Sequence, residues 1–198
     1  MPTNRETRRE QLLDAASRAV AEHGPDVTME AMASEAGITK PILYRHFGDK
    51  GGLYRAIAAR YVDRLMAELE AALATVDDPR ERIAATIDAY LSLIEREPTS
   101  YRFLMRRAIA DQPEARAFLT GFQHRVAERL IEVLRPEFER FGIPTTGVGA
   151  YAHGLVGLVQ QAGDWWLDQA DLERASLVDQ LSRWVWTGFV GLTPRDPR

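Results

Sequence analysis

The chain contains no cysteine. Disulfides, thiolate-bound zinc, iron–sulfur clusters and thiol catalysis are therefore excluded, and nothing points to an oxidising compartment. No apolar run approaches the ~18 residues of a membrane span. The first ten residues, Met1 to Glu10, are charged and lack the apolar stretch of a secretory signal. These absences lead to the expectation of a cytoplasmic protein with no membrane partner. Lysine is nearly missing, with Lys40 and Lys50 as the two examples. No stretch alternates apolar and polar residues like a half-buried strand, so no β-structure is expected. What remains is ordinary for a globular chain: 198 residues, 45% hydrophobic and 27% charged. That is enough for one large domain, or for a small one and a medium one.

The formal net charge of −4 is unevenly spread. Residues 1–60 carry nine basic against eight acidic side chains, while the rest carries 16 against 21. An acidic body with a neutral-to-basic head suits a protein that meets phosphate at one end.

Helical periodicity runs nearly throughout. The first helix is expected from about Thr3 to His23, with Leu12, Leu13, Ala16, Ala19 and Val20 on one face and Arg8, Arg9, Glu10, Asp14 and Arg18 on the other. Gly24 and Pro25 stop it. Thr28 is a natural cap for a short second helix carrying Met29, Met32 and Ala33. Gly37 ends that helix, and Thr39 caps a third with Pro41 in its first turn. Gly48 closes the third helix, and Asp49 caps a long fourth one reaching about Ala74. After the loop Val76-Asp77-Asp78-Pro79, further helices are expected over Arg80–Arg96, Ser100–Ala110, Glu114–Phe141, Gly147–Asp168 and Leu172–Gly191.

Thr28 to Leu53 is the informative stretch. Two short helices joined by Ala36-Gly37-Ile38 form a compact pair, since glycine permits the left-handed backbone of the turn. Met32, Ala33, Ile38, Leu43 and Phe47 can pack inward on Leu13, Ala16 and Val20. Thr39, Lys40, Tyr44, Arg45 and His46 are left pointing outward from one short helix. Long donors and an aromatic hydroxyl on a rigid exposed helix are what major-groove reading requires.

The run from Thr28 to Thr39 leads into Leu43-Tyr44-Arg45-His46-Phe47-Gly48-Asp49-Lys50 and then Leu53. It resembles the helix-turn-helix of the TetR family of bacterial transcriptional regulators, in its Thr-initiated helix, its Ala-Gly-Ile-Thr turn, its Tyr-x-His-Phe sequence and the lysine that follows. The close match covers about residues 8–60. The resemblance implies an all-α protein with a three-helix DNA-binding domain over residues 1–52 and a larger effector-binding and dimerisation domain over 53–198. It implies that Thr28 contacts a phosphate, that Thr39, Lys40, Pro41, Tyr44 and Arg45 face the groove, and that His46 and Lys50 face the DNA backbone. Lys50 at a helix N-terminus suits that role, because free N–H groups and the helix dipole already favour an anion there. Gly51-Gly52 departs from the family pattern and costs roughly 2 kcal/mol of helix propensity relative to alanine. The first turn of the fourth helix is therefore expected to fray until a partner orders it.

In the remainder, Gly149, Ala150, Gly154 and Gly157 line one helix. Repeated glycines are costly there unless another helix approaches closely. The following helix offers Leu177, Leu181, Trp184, Val185, Phe189 and Val190. The family resemblance implies that these last two long helices pair with their twofold mates, giving a homodimer and an operator that is an inverted repeat. The middle helices carry many aromatic and half-polar side chains. Tyr90, Phe103, Phe118, Phe122, His153, Gln160 and Trp165 are the candidates for lining a pocket for a mostly apolar small molecule. A fatty acid, acyl thioester, steroid or drug-like aromatic would each fit. No enzyme is expected: there is no Gly-rich phosphate loop and no nucleophile motif. His23, His46, His124 and His153 show no metal-ligand spacing in the sequence, so neither metal nor cofactor is expected. The function expected is a repressor released from its operator by a ligand. The alternative is a helical ligand-binding module without DNA activity, which a DNA-binding assay separates from it.

Overall fold

The computed structural model describes residues 4–24, 26–108, 113–169 and 171–193, with backbone alone for residues 4, 106–108 and 113–119. Every regular element among the described residues is helical. No helix among them is long and apolar enough to cross a membrane. Contacts divide the chain into two compact units, Met1–Arg64 with Glu97–Thr120, and Leu65–Arg96 with Gly121–Arg198. The grouping does not follow chain order: helix α4 (Lys50–Thr75) contributes to both units, and the segment after Glu97 returns to the first.

The first unit is built on α1 (Asn4–His23), α2 (Met29–Glu35) and α3 (Lys40–Phe47). Leu12, Leu13, Ala16, Ala19 and Val20 form a continuous buried stripe on α1. This is the face its apolar spacing predicts. Met32 and Ala33 of α2, Leu43 and Phe47 of α3, and Leu53 and Ile57 of α4 are buried with it. Burial of an aliphatic side chain of this size stabilises by about 1.5–3 kcal/mol. At the rim, Arg18 Nε lies 3.0 Å from Glu35 Oε1, and Arg60 pairs with Asp14. Gly24 has φ +81°, and its N–H donates to the Val20 carbonyl at 2.9 Å, so α1 stops where glycine allows a left-handed residue.

A single helix over Ser100–Ala110 does not form. Pro98 opens a short α6 (Pro98–Arg102), and from Phe103 to Ala108 the hydrogen bonding widens into a π-helical turn. Phe103 is fully buried and meets Tyr54 edge-on, with ring centres 5.0 Å apart. Such an arrangement adds about 0.5–1.5 kcal/mol beyond area burial.

The second unit contains α5 (Pro79–Arg96), α7 (Pro113–Arg140) from Gly121 onward, α8 (Val148–Trp166) and α9 (Arg174–Val190). Helix α5 begins at Pro79 because Asp78 caps it: its Oδ1 accepts from the N–H groups of Arg80 at 2.9 Å and Glu81 at 3.0 Å. Helix α9 packs along α5, and Arg174 clasps the pair, with Nε 2.9 Å from Asp88 Oδ1 and a second contact to Glu95. Gly163 lets α8 approach α5. A Cβ there would lie 2.9 Å from Ile94 Cδ1 and 3.0 Å from Tyr90 Cε1. The close approach inside the protomer thus uses Gly163, which the sequence did not single out.

Farther along, Phe138, Ile143, Val148 and Phe189 form a core with Phe141, Tyr151 and Trp186 packed around it. Phe189 lies within 6.1 Å of four of these rings, so these aromatics are structural. Tyr151 donates its hydroxyl to the Val185 carbonyl at 2.9 Å, and burial pushes its pKa up to about 12.

Candidate nucleic-acid interface

Thr28 stands in extended conformation ahead of α2, and its Oγ1 accepts from the Ala31 N–H at 3.1 Å. A cap of this kind is worth about 1 kcal/mol. A hydroxyl can accept there and still donate, so exposed Thr28 retains a proton for a phosphate oxygen. Helix α2 then turns through Gly37, at φ +64°. The N–H groups of Gly37 and Ile38 donate to the carbonyls of Ser34 at 2.9 Å and Ala33 at 3.0 Å, closing the turn.

Thr39 occupies the cap position of α3 but makes no side-chain capping bond; its carbonyl accepts from Ile42 at 3.0 Å and Leu43 at 3.1 Å. Leu43 and Phe47 anchor the helix beneath. Thr39, Pro41 and Arg45 are exposed, while Lys40, Tyr44 and His46 are half-exposed. One short, anchored helix therefore presents the polar set expected from the sequence. Lys40 reaches back to α2, its Nζ 2.6 Å from Glu30 Oε1. This hydrogen bond holds Glu30 below the usual carboxylate range and lifts Lys40 above the usual ammonium value. The Lys40 ammonium also lies 5.8 Å from the centre of the Tyr44 ring.

His46 lies in a basic surrounding. Burial lowers its pKa below 6.5, and Arg45, Arg5, Arg8 and Arg9 lower it further. The Arg9 guanidinium stands 4.8 Å over the Phe47 ring. Arg5, Arg8 and Arg9 were not among the candidates from the sequence. Their spacing shows a basic stripe on α1, but only the fold brings that stripe near α3.

The entry to α4 corrects one expectation. Its first turn is helical from Lys50, and Asp49 Oδ1 accepts from the Gly52 N–H at 2.6 Å. Gly52 is required sterically: a Cβ there would lie 1.9 Å from the Phe47 carbonyl oxygen. The glycine that looks like a helix fault is the seat on which α4 meets the end of α3. Lys50 projects from this first turn, with Nζ 5.3 Å from the Tyr54 ring centre.

The pocket candidates divide between the two units. Tyr90 on α5, Phe122 on α7 and Gln160 on α8 are half-buried in the second unit, and Gln160 accepts from Gln123. Phe103 lies in the core of the first unit. Trp165 is 53% exposed, and His153 is exposed with its ring 5.4 Å from His124. The side chain of Phe118 lies outside the described residues.

Comparison with known proteins agrees with this architecture. A family model described as "Bacterial regulatory proteins, tetR family" matches residues 12–57, and one described as "Tetracyclin repressor-like, C-terminal domain" matches residues 68–195. The chain is 30% identical over 186 residues to the HTH-type transcriptional regulator Rv0472c of Mycobacterium tuberculosis, covering 93% of this chain and 78% of that protein. It is 28% identical over 187 residues to the HTH-type transcriptional activator FasR of Mycolicibacterium smegmatis, covering 93% and 84%. A TetR-like transcriptional regulator from Rhodococcus sp. RHA1 superposes with a TM-score of 0.66 at 27% identity, covering 96% of this chain and 99% of that one. With family models matching residues 12–57 and 68–195, the chain belongs to the TetR family of bacterial transcriptional regulators.

Proposed function

We propose that the protein acts in the cytoplasm as a homodimeric repressor and reads an inverted-repeat operator without any catalytic step. Thr39, Lys40, Pro41, Tyr44 and Arg45 contact base edges in the major groove, and Thr28, His46 and Lys50 hold phosphates. The observation that carries this reading is the anchored helix α3, exposed on its polar face and flanked at its His46 end by the α1 arginines. The dimer uses α8 and α9. Both leave large or small apolar groups uncovered in the protomer: Trp184 is 64% exposed, and a Cβ on Gly154 or Gly157 would meet nothing within 4 Å among the described residues.

A mostly apolar small molecule bound in the second unit, near Tyr90, Phe122 and Gln160, lowers DNA affinity. Its effect is limited to its differential affinity for the two states. A coupling of about 1–3 kcal/mol, roughly 5- to 150-fold in affinity, is typical. A second reading, activation in place of repression, is favoured by the similarity to FasR, which is named an activator.

The test is fluorescence anisotropy with duplex DNA from upstream of the protein's own gene. A Tyr44→Ala, Arg45→Ala double variant loses affinity for the best site, by about 1–3 kcal/mol for each base contact removed. Unchanged affinity would overturn the assignment of α3. A promoter–reporter assay with and without the gene separates repression from activation.

A further inference from the structure

Helices α7 and α8 meet along a seam whose rungs can be read in order. A Cβ on Gly149 would lie 3.9 Å from Ile131 Cδ1, the His153 ring lies 5.4 Å from that of His124, and Gln160 accepts from Gln123. Residue numbers rise on one helix as they fall on the other, so the pair is antiparallel. On the middle rung, three side chains with metal-ligating atoms converge. His124 and Glu128 stand one turn apart on α7, with Nε2 and Oε1 3.7 Å apart, and His153 faces them from α8. One ligand atom from each lies within 4.8 Å of the others.

Zinc bonds of 2.0–2.2 Å in tetrahedral geometry set ligand atoms about 3.3 Å apart. All three side chains are exposed in the single protomer, and rotation about their side-chain bonds can close that small difference. We propose that His124, Glu128 and His153 form a binding site for a divalent transition metal, with Zn²⁺ as the reference ion and water in the remaining position. Two imidazoles and one carboxylate favour zinc, nickel or copper over magnesium or calcium, which take oxygen ligands. The i, i+4 pair on α7 supplies two ligands from one face, and the third comes from a separate helix. The ion therefore joins α7 to α8 within the second unit, and its binding stabilises the folded state by mass action. This site is independent of the effector-binding reading.

Calorimetry of zinc binding to the tag-free full-length protein tests the assignment. One Zn²⁺ per protomer is expected, with a rise in melting temperature on zinc addition and visible d–d absorption when Co²⁺ replaces zinc. Loss of a partner outside the ligand shell weakens metal sites roughly 10- to 100-fold, so a His124→Ala, His153→Ala double variant should weaken binding by more than about 100-fold. Glu128→Gln retains shape and weakens binding less. Circular dichroism of the variants should be unchanged, because the replaced side chains are exposed. Zinc uptake that survives the double variant, or no uptake by the unmodified protein at any zinc concentration that leaves it in solution, overturns the proposal.

Discussion

His46 connects charge, burial and DNA at the scale of one residue. In the free protein, burial and four arginines hold its pKa below 6.5, so it is mostly neutral near pH 7. A phosphate beside it would favour the charged imidazolium. Its pKa in the complex then exceeds that in the free protein, and binding takes up a proton. The sign follows: affinity rises as pH falls from neutrality through 6.5. Anisotropy titrations at several pH values should show this slope for the unmodified protein and a flatter one for His46→Asn. Equal slopes would remove His46 from the phosphate contacts. The sequence supplied this residue through its motif, but not Arg5, Arg8 and Arg9, since their proximity exists only after α1 packs beside α3.

At the scale of elements, glycines in the same kind of segment have opposite roles. Gly52→Ala forces a methyl group into the Phe47 carbonyl and should destabilise the DNA-binding unit by at least the 1–3 kcal/mol typical of overpacking. Gly154→Ala meets nothing within 4 Å among the described residues and should be neutral or slightly stabilising to the protomer, because alanine is the better helix former. Urea denaturation of the two variants measures the difference; equal stabilities would refute the close approach at Gly52. The helix ends were legible in the sequence where a residue's own backbone decided them. Gly24, Gly37 and Gly48 mark the ends of α1, α2 and α3, and each takes a positive φ. Gly52 was illegible because its requirement is a contact with another helix. The π turn at Phe103 and the burial of Phe103 against Tyr54 are likewise products of packing. His124 and His153 read as scattered because the antiparallel seam that joins them leaves no fixed spacing along the chain.

At the scale of the molecule, dimerisation should depend on the uncovered face of α8. Gly154→Leu places a large side chain where the partner helix would approach, and should give a monomer by light scattering with the protomer's fold intact. A dimer that persists in this variant would move the interface away from Gly154, and a monomeric unmodified protein at micromolar concentration would remove the dimer altogether. The same helix has a consequence for the order in which the chain folds. Gly149, Gly154, Gly157 and Gly163 lie within α8, and four glycines cost about 4 kcal/mol of helix propensity relative to alanine. A 19-residue segment with that burden has little tendency to become helical alone. Its template is α5, against which Gly163 fits, and α5 is in turn clasped to α9 by Arg174. Helix α8 is thus expected to coil only once its neighbours offer a surface, although it lies between them in the chain, and substitutions at Gly163 should then change the unfolding rate far more than the folding rate.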